Sequence, residues 1–388
     1  YKEGIREKFY RELENISRLR HFLRKLKNPT LISDHEWRRL TKYKGAAWWF
    51  YYIIRFISNF TVNYSVIKRI NNKYQKMVGK SPFLNDFKSM VKDIAPDVIL
   101  CTHQRALTTS PLFEAARLLG VKTVTAIYSW DNLPKARLAF RADKYLVWSD
   151  YMKDELLFYY PEIESEKVAV TGTPQFEFYR RDDLLLSREE FCRDYGFDPK
   201  HPIVCYSGGD RLTSPYDQDY LNDLADALKS LPENETVQIL FRRCPVDWSK
   251  RFEPVLAKHR DIITVVDPLW AHEKDEADKW SLTYPLFADV KLLVNVARHC
   301  DLVYNVGSTM AHDYSMFDKP ACYINYNPEN ANSGYSVQKI YNYQHFKSMP
   351  SPDAVIWINS KEEIALKVME AVKNPGKVAP DRKAWLEK

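Results

Sequence analysis

Glycine is scarce in this chain, 11 residues in 388, so a glycine set between an apolar strand and a helix marks a backbone position that a side chain would disturb. No CxxC and no paired Cys/His spacing occurs among the six cysteines, Cys101, Cys192, Cys205, Cys244, Cys300 and Cys322. This argues against structural zinc and a disulfide framework and predicts reduced core thiols, as in a cytosolic protein. No apolar run reaches membrane-spanning length, and no signal peptide is evident. GxGxxG, P-loop, HExxH and nucleophile-elbow patterns are all missing. Acidic residues are absent from 41–80, a stretch that carries eight Lys and Arg.

The charge is accordingly lopsided. Residues 1–100 hold 21 Lys and Arg against 9 Asp and Glu, whereas the remainder is acidic, 36 against 42. Apolar residues make up 45% of the chain and aromatic ones 14%, which predicts a globular protein long enough for two cores. Ile5, Phe9, Leu13, Ile16, Leu19, Phe22, Leu23 and Leu26 recur at helical spacing. The aromatic run from Ala46 to Phe60, interrupted by Arg55 and flanked by Lys42, Lys44, Lys68 and Arg69, reads as a helix. It either lies in an anionic membrane interface or packs into the N-terminal domain.

From residue 96 strands alternate with helices, the pattern of a mostly parallel sheet covered on both faces. Residues 180–201 are charged, with a Ser187-x-x-Glu190 capping box, and read as the link to a second alternating series. The expected fold is α/β: two Rossmann-like domains with parallel sheets facing a central cleft, plus a helical, basic and aromatic N-terminal segment. The N-terminal domain is placed at 1–180, with 1–95 mostly helical. The C-terminal domain follows at 200–375, and 376–388 is a tail. No strand and glycine loop precede residue 96, so the first domain is expected to lack its opening strands.

In open α/β sheets ligands sit at the carboxyl ends of strands, and the candidate residues fall there. The strand before Gly307-Ser308-Thr309 runs straight into a helix expected over 309–317, an arrangement suited to a phosphate, with Asp313 one turn on facing a ribose diol. Ser207, Gly208, Gly209 and Arg211 close another strand; Arg242 and Arg243 close the next, with guanidinium forks matched to phosphate. Asp267 ends a third, where a nucleobase would meet backbone groups. On the first domain, His103, Gln104 and Arg105 follow one strand, and Trp130, Asp131 and Asn132 the next. His103 and Asp131 are the candidates for a catalytic base, the others for acceptor contacts. Asp217-Gln218-Asp219 has the form of a metal-binding DxD, but it lies at a helix start and reads as a cap. No metal and no cofactor are therefore expected.

Ser129-Trp130-Asp131-Asn132-Leu133, Asp143–Ser149, Val170–Phe176 and Ser187–Cys192 resemble bacterial surface-polysaccharide glycosyltransferases of the GT-B type. The segment from Gly307-Ser308-Thr309 to Lys319-Pro320 is similar to donor sites across that superfamily. The resemblance covers about 96–375 and implies that Gly307, Ser308 and Thr309 bind the donor phosphates and that Asp313 stands where an acidic residue often meets the ribose. Related proteins often carry Arg-Pro-His-Pro where this chain has Arg242-Arg243-Cys244-Pro245, so no histidine role carries over. The implied activity is transfer of a sugar from a nucleotide sugar to a glycan or lipid-linked acceptor, in cell-surface polysaccharide synthesis at the cytoplasmic face of the membrane. Alternatives on the same fold are a sugar-nucleotide 2-epimerase, a CDP-glycerol glycerophosphotransferase-like enzyme, and a noncatalytic nucleotide- or glycan-binding scaffold. Nucleic acid is not an expected partner.

Overall fold

The computed structural model describes residues 1–27, 43–135, 138–211, 213–272 and 283–388. The chain forms two compact units, 1–173 with 343–345, and 174–342 with 346–388. The division falls at Thr173, ahead of the charged 180–201 stretch, because Gln175 and Tyr179 already bond within the second unit. Nor is 376–388 a loose tail, since Trp385 is buried there and donates its indole N–H to Ser348 Oγ at 3.0 Å.

Unit 1 opens with helices α1 (Ile5–Leu26), α2 (Gly45–Ser58), α3 (Tyr64–Val78) and α4 (Leu84–Ile94). The helical spacing of α1 turns Leu13 and Ile16 onto Ile54 of α2 and Ile70 of α3, a small apolar core of its own. A parallel sheet follows, ordered β1 (Val98–Cys101), β2 (Lys122–Ala126), β3 (Lys144–Val147), β4 (Val168–Val170). Helix α5 (Ser110–Leu119) links β1 to β2 and stops at Gly120, which sits at φ +76°. Helix α6 (Asp150–Tyr159) links β3 to β4, with the Ser149 hydroxyl accepting from the Met152 amide. Arg18 of α1 ties the helical segment to the end of α6, donating to the Tyr159 carbonyl at 2.6 Å.

After a short helical turn at Pro174–Glu177, unit 2 continues with α7 (Arg188–Tyr195), whose capping box forms as its sequence predicts. Its sheet alternates β5 (Ile203–Ser207), α8 (Asp217–Lys229), β6 (Gln238–Arg242), α9 (Glu253–Lys258) and β7 (Ile263–Val265). A short antiparallel pair, β8 (Trp270–His272) and β9 (Thr283–Pro285), precedes α10 (Phe287–His299). Then come β10 (Leu302–Asn305), α11 (Met310–Ser315), β11 (Ala321–Ile324), α12 (Gln338–Tyr341), β12 (Ile356–Ile358), α13 (Ile364–Lys373) and α14 (Arg382–Glu387). All six strands of this sheet are parallel, in the order β12-β11-β10-β5-β6-β7. Read within the unit, this is the doubly wound order 6-5-4-1-2-3, so the winding reverses between β5 and β10. The central strands β5, β10 and β11 are buried throughout, which is why they read as unbroken apolar runs.

Candidate functional site

The reversal point of unit 2 brings two sequence-flagged loops side by side, since β5 and β10 pair through Tyr206 and Tyr304. Ser207, Gly208 and Gly209 leave one strand, and Gly307, Ser308 and Thr309 leave its neighbour. Gly307 has φ +57°, and a Cβ there would lie 2.9 Å from Ile340 Cγ2 and 3.1 Å from Phe346 Cζ. Its bareness therefore serves packing against the 340–346 segment as well as backbone conformation. The Ser308 amide donates to Asn305 Oδ1 at 2.9 Å, and the Ser308 carbonyl accepts from the Tyr323 hydroxyl at 2.7 Å. The following helix, α11, spans six residues and not the nine expected. Thr309 is exposed at its start.

The opposite loop is closed by Asp217. This fully buried carboxylate accepts from the Gly209 amide at 2.6 Å, the Tyr206 hydroxyl at 2.8 Å and the Ser214 hydroxyl at 2.9 Å. Burial pushes its carboxyl up to about 6 against these bonds and the nearby Arg251. Asp217 is thus the clasp of the glycine turn. Arg211 stands exposed on the same loop.

The other charged candidates are spoken for within the unit. Arg242 is buried, its Nη2 donating to both oxygens of Asp289 at 2.8 Å, and Asp289 also accepts from the Leu269 amide and the Trp270 indole. Arg243 pairs with Asp267 and lies 5.1 Å from the Trp248 ring centre. Asp313 was expected to face a ribose; its carboxylate is buried and accepts from Tyr179 Oη at 2.6 Å and Gln175 Nε2 at 3.3 Å. Burial pushes it up to about 6. In this arrangement Asp313 anchors the 174–180 segment. Two buried donors at the carboxyl ends of β6 and β10, Arg242 Nη1 and Asn305 Nδ2, have no hydrogen-bond partner among the described residues. Asn305 was not singled out from the sequence, where it passes for the last residue of an apolar strand.

In unit 1 a polar relay joins the two candidate loops. Gln104, buried, accepts from the Tyr128 amide and donates to Asn132 Oδ1, both at 2.9 Å. Asn132 donates to Asp131 Oδ1 at 2.8 Å, and Lys135 closes an ion pair on Asp131 Oδ2. Burial works to raise the Asp131 carboxyl, but Lys135 and, further off, His345 hold it well below the usual carboxylate range. Trp130 meets the His345 ring edge-on at 4.7 Å. The His103 ring stacks on Tyr128 at 4.6 Å, and its Nδ1 lies 3.1 Å from the Arg105 amide. Burial, then the Arg105 charge, lowers the His103 pKa.

One titratable side chain here escaped sequence reasoning. Glu155 of α6 is buried, and neither carboxylate oxygen has a hydrogen-bond partner among the described residues. Burial, and next the charge of Asp131, pushes it up to about 8. Met152, Leu156 and Tyr159 line the buried stripe of α6, and Glu155 falls on that stripe. An acid in phase with an apolar stripe was the signal available.

The sequence model of the monogalactosyldiacylglycerol (MGDG) synthase family matches residues 20–174, nearly the whole of unit 1. No curated protein matches the chain. Among solved structures, a Listeria monocytogenes protein assigned as UDP-N-acetylglucosamine 2-epimerase superposes with a TM-score of 0.50 at 12% identity. It covers 80% of this chain and 73% of its own. A glycosyltransferase from Rickettsia africae gives 0.45 at 14% identity, over 79% and 77% of the two chains. The Neisseria meningitidis UDP-GlcNAc 2-epimerase bound to UDP-GlcNAc gives 0.43 at 10%, over 81% and 75%. Likeness at such identity bears on fold alone, and the Listeria structure carries it. Two parallel-sheet α/β units and the fold shared with the Listeria structure give the chain a GT-B-like fold, and the first unit is similar in sequence to the MGDG synthase family.

Proposed function

We propose that the chain transfers a sugar from a nucleotide-sugar donor held by unit 2 to a lipid-linked or glycan acceptor served by unit 1, without a metal, in cell-surface polysaccharide synthesis. The observation that carries the donor assignment is the meeting of two strand-end loops at the winding reversal of unit 2. Open α/β sheets bind ligands at such points. Thr309 and Arg211 offer an exposed hydroxyl and guanidinium there, and Arg242 Nη1 and Asn305 Nδ2 are donors in want of an acceptor. Fixed donors of this kind stabilise charge on a departing nucleotide phosphate. Asp217 is committed to its loop, which leaves the DxD short of a ligand for a cation.

A thermal-shift panel of UDP, GDP, CDP, CMP and dTDP, with and without magnesium, tests the donor site. One nucleotide is expected to raise the melting temperature independently of magnesium; at a hundredfold its Kd the gain is about 2.7 kcal/mol. Thr309→Ala combined with Arg211→Ala is expected to weaken that nucleotide at least tenfold. No shift with any nucleotide, or unchanged affinity in the double variant, overturns the assignment. The fold shared with the Listeria protein favours a second reading, a sugar-nucleotide 2-epimerase. Product analysis separates the two, because an epimerase alters the donor with no acceptor present.

Membrane attachment belongs to the same proposal. Among the described residues no helix is long and apolar enough to cross a membrane. Helix α2 buries Tyr51, Ile54 and Ser58 and exposes Trp49, Tyr52, Ile53 and Phe56 along one stripe, with Phe60 just beyond. Such a stripe amid bases without acids suits insertion between anionic headgroups at the cytoplasmic face. Trp49→Ser with Phe56→Ser is expected to reduce binding to phosphatidylglycerol-containing vesicles by tenfold or more, roughly the loss of partly burying two large rings. Cosedimentation measures it, and unchanged binding would show that this face does not enter lipid.

A further inference from the structure

We propose that Glu155 is the proton acceptor of unit 1, taking the hydroxyl proton of the acceptor, with Asp131 as the fixed negative charge beside it. The inference rests on the transferase reading and names the group that the reading leaves open.

Three side chains at or beside the polar relay are candidates to accept a proton, Asp131, His103 and Glu155, and their surroundings separate them. Both oxygens of Asp131 are engaged, one by Asn132 Nδ2 and the other by Lys135 Nζ. Protonating Asp131 would dismantle an ion pair. The Nδ1 of His103 faces the Arg105 amide at 3.1 Å, so its lone pair is occupied and a neutral ring carries its proton on Nε2, outward. Glu155 alone has two oxygens without a hydrogen bond, on a side chain 7% exposed. A buried polar group in that condition is costly unless something supplies the missing partner. The Tyr159 hydroxyl, one helical turn further along α6, is likewise buried and unpartnered. A hydroxyl-bearing ligand satisfies both, donating to Glu155 and accepting from Tyr159.

Asp131, from the segment after β2, and Tyr151 and Tyr159, from α6 itself, interact with Glu155, while Lys135 and His345 act on Asp131. Burial pushes His345 down to about 4, so it is neutral near pH 7 and adds no charge of its own. Burial and Asp131 push Glu155 up to about 8, close to the working pH at which a general base is most effective. Two neighbouring carboxyls driven in opposite directions are the usual mark of divided acid-base duties. In the step itself the acceptor O–H bond breaks and its proton passes to a Glu155 carboxylate oxygen. The acceptor oxygen bonds to the anomeric carbon as the bond from that carbon to the nucleotide phosphate breaks, the electron pair leaving with the phosphate. Solvent later removes the proton from Glu155.

Glu155→Gln, close in shape, is the decisive variant. Its kcat is expected to fall by about 10²–10⁴-fold, while the melting shift given by the nucleotide stays at the wild-type value. The kcat of the wild type is expected to rise with pH through a midpoint near 8 to a plateau above it, and Glu155→Asp to retain part of the activity with that limb displaced. A Glu155→Gln variant within threefold of wild type overturns the proposal and leaves the transferase reading standing. A wild type that transfers nothing from any donor sinks that reading, and this proposal with it. Stability gives a readout that needs no substrate. Between the ordinary carboxyl value of 4.5 and about 8 the folded chain keeps a proton that the unfolded chain has released. Wild-type stability should therefore fall across that window as pH rises and level off above it. Glu155→Gln should lack that component, and identical pH dependence in the two proteins would overturn the proposal.

Discussion

Alanine at position 307 is expected to lower the melting temperature of the protein by about 5–15 °C and to abolish nucleotide binding with it. Two separate costs act at this residue. Its φ of +57° is a left-handed conformation that costs a side chain roughly 1–2 kcal/mol. Its Cβ would then press on Ile340 Cγ2 at 2.9 Å, Phe346 Cζ at 3.1 Å and Tyr341 Cε1 at 3.3 Å. Ile340 and Phe346 are buried, and Tyr341 stacks on Tyr323, so none of the three yields without displacing others; overpacking of this kind costs about 1–3 kcal/mol. Because Tyr323 also holds the Ser308 carbonyl, a shift of the aromatic cluster moves the loop that carries Thr309. Gly208→Ala is the control: its Cβ would meet the Cys244 amide at 3.3 Å and Arg243 Cα at 3.4 Å, with no positive φ. A smaller loss is expected there. Equal melting of Gly307→Ala and wild type, read by differential scanning calorimetry, would show that the 340–346 segment does not brace this loop.

Much of the fold was legible because its signals are local and redundant. The α1 heptad-like spacing, the unbroken apolar runs of β5, β10 and β11, and the Ser187/Glu190 capping box each fix an element within a residue or two. The glycine turns were legible too, since few residues other than glycine tolerate those positions. Strand order was not, because pairing of β10 with β5 rather than with β7 is a matter of long-range winding that no local pattern encodes. The same limit explains the charged candidates. From sequence Arg242, Arg243 and Asp267 are free charges at strand ends and Asp313 one in the first turns of a helix; only the assembled unit shows Asp289, Tyr179 and Gln175 arriving from elsewhere to engage Arg242 and Asp313. That the Glu155 oxygens and Asn305 Nδ2 lack a hydrogen-bond partner among the described residues shows only once the neighbours' bonds have been assigned.

Arg18→Ala should destabilise unit 1 by about 3–5 kcal/mol, the usual result of removing one partner from a buried ion pair. Arg18 is wholly buried. Its Nε donates to Glu14 at 2.7 Å and its Nη1 to the Tyr64 hydroxyl and the Tyr159 carbonyl, each at 2.6 Å. Nη2 lies 3.3 Å from Glu162, and the guanidinium covers the Tyr160 ring at 4.1 Å. These contacts join α1, α3 and the end of α6, so one side chain couples the N-terminal helices to the helix that carries Glu155. Truncation takes the guanidinium from Glu14, leaves Glu162 to Arg141 and Tyr64, and frees the last turn of α6. The expected result is an early unfolding transition confined to unit 1, with transfer activity lost at temperatures where nucleotide binding by unit 2 persists. Arg18→Met, which refills most of the volume without a charge, should recover part of the packing but not the guanidinium's bonds, so an intermediate melting temperature is expected. Calorimetry with and without the stabilising nucleotide separates the transitions. A single transition, unmoved by Arg18→Ala, would show that the N-terminal helices and the sheet of unit 1 are not held together at this residue.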